Sequence, residues 1–234
     1  MGAMPAKNTI KQFIPNAYYH IYNRGVEKRV IFLDEQDYVV FLSYLKSYLL
    51  PKNIDSLQSV LADPDANSRQ KNEAIKYIRM NNFADTLELV SYCLMPNHFH
   101  LLLKQTEATT IDRFMQSICT RYSMYMNSRY KRVGTLFQGV YKAVIVETDN
   151  QLLYLSRYIH TNPRKILALK GLTFQSYPFS SYRDFLKLSN TDWVKTHHVL
   201  DHFHSKGLHS YENFIEENED EISVQNLKDK TIDE

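Results

Sequence analysis

Met95-Pro96-Asn97-His98-Phe99-His100-Leu101-Leu102-Leu103 is the stretch that decides the fold. Pro96-Asn97 reads as a tight turn, and His98 to Lys104 reads as a strand leaving it. Side chains alternate along a strand, so His98 and His100 share one face. Phe99, Leu101 and Leu103 point the other way, into a core. Two imidazole nitrogens held side by side on a rigid strand are the start of a divalent-metal site. Alone, a His-x-His is weak evidence, because two polar residues on a solvated sheet face look the same.

Working outward, Leu87 to Leu94 is an apolar strand that pairs with the histidine strand as a hairpin. Tyr18 to Asn23 reads as a first strand, closed by Arg24-Gly25. Asp34 to Leu50 reads as a helix, with Tyr38, Phe41, Leu42, Leu45 and Leu49 on one face and Pro51 as its stop. Residues 51–85 are polar, contain Asp63-Pro64-Asp65, and hold a short helix around Ser68–Met80; they read as a surface insertion. Thr109 and Asp112 have the spacing of a capping box. The helix they open buries Ile111, Phe114, Met115, Ile118, Tyr122, Tyr125 and Met126, and leaves Arg113, Gln116, Arg121 and Arg129 off that stripe. After Gly134, Val140 to Glu147 is a fourth strand. Asp149 then caps a last core helix running to about Asn162, where Pro163 biases its predecessor out of the helical region. The order strand, helix, strand, strand, helix, strand, helix is a split β-α-β pattern. It predicts an α+β fold with an antiparallel sheet and helices on one face.

The 234 residues suffice for one large domain, and 44% hydrophobic content gives it a real core. The division expected is a domain over 5–185 with 51–85 inserted, an extension over 186–211 and an acidic tail over 212–234. Met1-Gly2-Ala3-Met4 reads as a remnant ahead of the native start. No apolar run approaches the roughly 18 residues of a membrane span, and no signal-peptide pattern opens the chain. Cys93 and Cys119 form no C-x-x-C pair. Together these features predict two buried thiols in a reducing cytoplasm, with no membrane partner.

The formal charge is +2, but residues 212–234 hold nine acids against Lys228 and Lys230, a net of −7 that leaves +9 on residues 1–211. From Arg113 to Lys142 there are six cations (Arg113, Arg121, Arg129, Lys131, Arg132 and Lys142) and no acid. A basic body with an acidic tail fits a polyanion partner, although a solvated basic surface would look alike. The tail would compete with that partner, unless it packs on the body as a helix through Tyr211, Phe214 and Ile215.

The helix Leu152–Asn162 carries the second chemical element. At about 100° per residue, Leu152, Leu155 and Ile159 form its buried side, and Tyr158 and Asn162 share an adjacent one. His160 points roughly opposite to Tyr158. Tyr154 lies on the same side as Tyr158 and is the rival nucleophile. Helix grammar alone would also explain Tyr158 as a rim residue and Asn162 as a cap.

These residues carry a resemblance. Met95-Pro96-Asn97-His98-Phe99-His100, Leu136-Phe137-Gln138-Gly139, Tyr158-Ile159-His160-Thr161-Asn162-Pro163 and Ser180-Ser181-Tyr182 occur in the order and spacing of the REP-associated tyrosine transposases. These are HUH single-strand transposases, named for histidine–hydrophobic–histidine. Tyr19-His20-Ile21-Tyr22-Asn23-Arg24-Gly25 is similar to the first strand of that family, and the resemblance spans about residues 17–185. It implies a ferredoxin-like fold with an HUH nuclease core. It implies His98 and His100 as metal-binding histidines, Tyr158 as the nucleophile, and Asn162 as the residue that completes the metal site. Asn162-Pro163-Arg164-Lys165-Ile166 departs from the Asn-Pro-Val-Arg-Ala usual in the family, and 51–85 is longer than the usual connection.

The implied chemistry is cleavage and rejoining of single-stranded or hairpin DNA. A phosphodiester is shielded by its charge, so a catalyst must neutralise a non-bridging oxygen and place a nucleophile in line. The products are a 5′-phosphotyrosine on Tyr158 and a free 3′-OH. Nitrogen and oxygen ligands suit Mg²⁺ or Mn²⁺. The DNA contacts expected are Arg24, Arg113, Arg121, Arg129, Lys131, Arg132, Gln138 and Lys142. A monomer is expected, with a dimer as the alternative. Competing readings are a catalytically idle DNA- or RNA-binding module on the same fold, and a metal-dependent hydrolase with further His, Asp or Glu ligands. Covalent capture of a DNA end separates the three.

Overall fold

The computed structural model describes residues 13–205, 207 and 209–216. Met1–Met4, read above as a remnant, and residues 217–234 of the acidic tail lie outside them. Among the described residues one sheet forms, from β1 (Ala17–Arg24), β2 (Leu87–Met95), β3 (His98–Gln105) and β4 (Lys142–Val146), in the order β2-β3-β1-β4. Every neighbouring pair is antiparallel. β3 therefore lies between the parallel β1 and β2, and β1 between the parallel β3 and β4. Two split β-α-β units interleave, which is the ferredoxin-like arrangement.

The helices α1 (Glu35–Leu49) and α4 (Thr110–Arg129) make those two connections. They cover one face, where Phe99, Leu101 and Leu103 meet Tyr19, Ile21, Phe41, Leu45, Phe114, Ile118 and Tyr122 in the larger core. Arg129 ties the two helices together. Its guanidinium reaches Asp34 at 2.7 Å and the fully buried Asp37 at 2.6 Å, and Tyr125 and Tyr130 also donate to Asp37.

The α+β antiparallel class stands, but the helices do not keep to one face. α5 (Asp149–Thr161) lies on the other, where Leu152, Leu155 and Ile159 pack with Val90 and Leu102. The reason is in the strands. Leu102 follows the histidine side of β3, and a bulge between Leu89 and Ser91 adds Val90 to that face, so it too has apolar surface to bury. The chain from Tyr182 onward completes this second core. Phe185, Val199, Tyr211 and Ile215, from α7 (Tyr182–Phe185), α8 (His197–Leu200) and α9 (Tyr211–Glu216), belong to it. Residues 212–216 at the head of the acidic segment are therefore part of a packed helix.

Local departures have local causes. The expected capping box at Thr109 does not form. Gln105 accepts the Ile111 N–H at 3.0 Å instead, and Asp112 accepts the Tyr141 hydroxyl. Thr148, not Asp149, caps α5 by accepting from the Gln151 N–H at 3.2 Å. The insertion is two helices, α2 (Ile54–Ala62) and α3 (Ser68–Arg79). α2 has no buried residue. Asn162 keeps helical angles (φ −53°, ψ −38°), and Pro163 opens α6 (Arg164–Lys170). A proline has no N–H to lose in the first turn of a new helix, so the chain turns there without unwinding. Cys93 is buried and Cys119 half-buried, and both are free thiols.

Candidate functional site

The turn between β2 and β3 is clamped before the first histidine. Ile31 and Phe32 donate their N–H groups to Pro96 O at 2.8 and 3.0 Å, and Gly25 donates to Asn97 O at 2.8 Å. Gly25 tolerates no side chain, because a Cβ there would stand 2.2 Å from Arg29 O. Asn97, fixed in this way, brings its Oδ1 to 2.7 Å from His98 Nδ1. An amide oxygen accepts, so Nδ1 donates and the His98 lone pair sits on Nε2.

Both histidines then converge on α5. His98 Nε2 lies 3.1 Å from Asn162 Oδ1, and His100 Nε2 lies 3.4 Å from Asn162 Nδ2. The Tyr158 ring, one turn earlier on α5, stands edge-on to His100 at 5.4 Å between centroids. Tyr154 instead packs against Phe214 at 5.6 Å. His160 points away from both. It is fully buried, its nitrogens 2.7 Å from the Tyr211 hydroxyl and 2.8 Å from Ser181 Oγ, and Ser181 in turn holds the Tyr92 backbone on β2. This chain of contacts locks α5 to the sheet.

One residue at the centre went unrecognised in the sequence. His20 on β1 places Nε2 2.9 Å from His100 Nδ1, and its ring lies 6.0 Å from that of Tyr158. The signal was present in Tyr19-His20-Ile21-Tyr22, where Tyr19 and Ile21 face the larger core and His20 therefore faces the other way. Only the pairing register turns that alternation into a contact with His100. Burial pushes His20 down to about 3. Burial first, then the neighbouring His98 and His20, drives His100 well below the ordinary histidine range. At neutral pH both are uncharged imidazoles, which is the form that donates a lone pair to a metal.

The donor set fits a divalent cation. With the His98 proton on Nδ1, Nε2 and Asn162 Oδ1 are two lone-pair donors facing each other, an arrangement a cation relieves. Each of the two histidines has its second nitrogen engaged, by Asn97 or by His20, as metal-binding histidines generally do. Among the described residues no group of three or more His, Cys, Asp or Glu could hold a metal. Two histidines and an amide would thus be a sparse set, with coordination positions to spare for a substrate.

The cations divide sharply. Arg24 pairs with His98 across the sheet, and Tyr22 pairs with both His100 and Lys142. Cross-strand partners project on one face, so Arg24 and Lys142 join the histidines. Gln138 accepts from Arg24 Nε at 2.5 Å, and its backbone N–H donates to Arg24 O. Arg113, Arg121 and Arg129 belong to α4, on the opposite face. Arg121 lies 3.9 Å above the Tyr44 ring and Arg129 is neutralised by Asp34 and Asp37, so neither joins the site. Arg113 is exposed beside Phe83. Lys131 and Arg132 lie in the turn after α4, where the Arg132 N–H bonds Asn127 O.

Residues 66–162 match the family described as Transposase IS200 like. That segment contains His98, His100, Tyr158 and Asn162. No curated protein matches the chain. Among solved structures it is similar to a REP-associated tyrosine transposase bound to a REP hairpin, at 11% identity over 81% of this chain and 97% of that one, with a TM-score of 0.49. It is also similar to a putative transposase from Deinococcus radiodurans, at 19% identity over 66% of this chain and 96% of that one, with a TM-score of 0.28. No helix among the described residues is long and apolar enough to cross a membrane.

Proposed function

We propose that this protein is a single-strand DNA transferase that cuts and rejoins DNA beside hairpins, with Tyr158 as nucleophile. The observation that carries the reading is the meeting of α5 with the histidine pair. The Tyr158 ring is 5.4 Å from His100, and Asn162, one turn on, touches Nε2 of both histidines. The ordered motifs and the family of the 66–162 segment support the transposase class. Their resemblance to the REP-associated enzymes supports the hairpin substrate.

His98, His100 and Asn162 would hold Mn²⁺ or Mg²⁺, which when bound supplies positive charge to a non-bridging phosphate oxygen. The rest is done by the chain. Arg24, Gln138 and Lys142 line the same face and hold the phosphate backbone. Tyr158 presents its phenolic oxygen from a helix fixed through His160 and Ser181. That oxygen bonds to phosphorus as the P–O3′ bond breaks. The phenol loses its proton and the departing 3′ oxygen gains one. The phosphotyrosine keeps the bond energy, so a 3′-OH can reverse the step and rejoin DNA.

The test is incubation of full-length protein with labelled single-stranded hairpin DNA and Mn²⁺, followed by a denaturing gel. Wild type should form a covalent adduct. Tyr158→Phe should abolish it with hairpin binding retained, while Tyr154→Phe should leave it near wild type. Loss with Tyr154→Phe and not with Tyr158→Phe would overturn the assignment of the nucleophile. No adduct under any condition would leave the idle binding module.

A further inference from the structure

The contact between His20 and His100 has a direction, and the orientation of the Asn162 amide, with Oδ1 turned to His98 as a shared cation would hold it, fixes it. Asn162 turns Oδ1 toward His98 Nε2 at 3.1 Å, so its Nδ2 faces His100 Nε2 at 3.4 Å. Nδ2 is a donor, and a second donor cannot face it, so His100 Nε2 carries a lone pair. The ring proton of neutral His100 is then on Nδ1. The group 2.9 Å from Nδ1 is His20 Nε2, which must be the acceptor, and His20 carries its own proton on Nδ1. The two ring planes are inclined by only 20°, which suits a hydrogen bond between their edges. Both are buried, so water does not compete for these nitrogens.

We propose that His20 is a positioning residue: by accepting the His100 Nδ1 proton it holds His100 in the one tautomer that offers Nε2 toward His98 and Asn162. The inference rests on the reading of those three residues as a metal site. His20 does for His100 what Asn97 does for His98, but from a different strand and with a group that could itself donate. If the pair were reversed, His20 would donate, and a proton on His100 Nε2 would block the site. A ligand's second-nitrogen partner is worth roughly 10–100-fold in metal affinity.

The test has two arms on the full-length protein. Long-range proton–nitrogen NMR of the ¹⁵N-labelled, metal-free wild type should show His100 protonated at Nδ1 and unprotonated at Nε2, and His20 protonated at Nδ1. Titration calorimetry with Mn²⁺ should show His20→Leu weakened by roughly 10–100-fold. His20→Gln, whose side-chain oxygen can accept the same proton, should recover most of that loss and keep the His100 tautomer. A wild-type His100 protonated at Nε2 overturns the inference, as does a folded His20→Leu that binds Mn²⁺ like wild type. If His20→Leu does not fold, the wild-type spectrum still decides. If wild type binds no Mn²⁺, the metal reading fails, while the spectrum separately settles which histidine donates.

Discussion

On one face of the sheet Phe99, Leu101 and Leu103 vanish beneath α1 and α4. On the other, shifted by a single residue, His98 and His100 meet Asn162 and the Tyr158 ring of α5. The first face spends its polar groups on itself. Arg129 is consumed by Asp34 and Asp37, and the Tyr122 hydroxyl by Ile31 O. The second face also has an apolar core, but only beyond the histidines, at Leu102 and Val90. Hydrophobic packing positions α5 there, and the proposed site begins where that packing stops. One strand can therefore be a structural element on one side and a site on the other, because its period of two keeps the tasks apart.

Adjacent residues give the largest test of that separation. His98→Ala should abolish DNA adduct formation through loss of metal, with little change in the denaturation midpoint. Phe99→Ala, its neighbour on the packed face, should cost roughly 3–5 kcal/mol of stability in denaturant unfolding, because a fully buried ring leaves a cavity. A His98 variant that unfolds as easily as the Phe99 variant would break the comparison.

A smaller effect is expected at the joint between the extension and α5. The Tyr211 hydroxyl contacts His160 at 2.7 Å and Ser156 at 3.1 Å, all three buried. Tyr211→Phe should cost about 1–3 kcal/mol, the penalty for leaving buried polar groups unpaired. Adduct yield well below the melting transition should persist. Unchanged stability would mean that the extension does not brace the helix that bears Tyr158.

Much of this arrangement is legible in the sequence, and the limits are physical. The β2–β3 hairpin, the two long helices and the pairing of Tyr158 with Asn162 follow from local periodicity, which one strand or helix carries by itself. His20 was missed because its role depends on register between β1 and β3, a non-local property. Placing α5 on the second face depended on the bulge at Val90, which pattern reading takes as one more apolar residue of a strand. The charge run from Arg113 to Lys142 does not stay together for the same reason. Six cations close in sequence are divided by the fold between two faces, and Arg129 has acidic partners more than ninety residues away. Net charge identifies a kind of partner, but it does not say which side of a sheet that partner meets.

The smallest expected effect tests that division directly. Binding to single-stranded DNA releases counterions, so the logarithm of affinity falls with the logarithm of salt by about 0.7 per phosphate neutralised. Lys142 is exposed on the strand that flanks β1, across from Tyr22 on the histidine face. Lys142→Ala should therefore lower the magnitude of the salt slope by about 0.7, for one lost contact, and weaken binding without regard to sequence. Arg129→Ala removes the same formal charge, but from a guanidinium already matched by Asp34 and Asp37 on the far face. It should leave the slope unchanged and instead lower the melting temperature, since the buried Asp37 loses its ion-pair partner. Fluorescence anisotropy with a labelled hairpin over a salt series, beside a thermal melt of each variant, reads both quantities. Equal slopes for Lys142→Ala and wild type would remove Lys142 from the DNA path. A reduced slope for Arg129→Ala would mean that the DNA wraps onto α4 as well, and that the two faces are less separate in function than in packing.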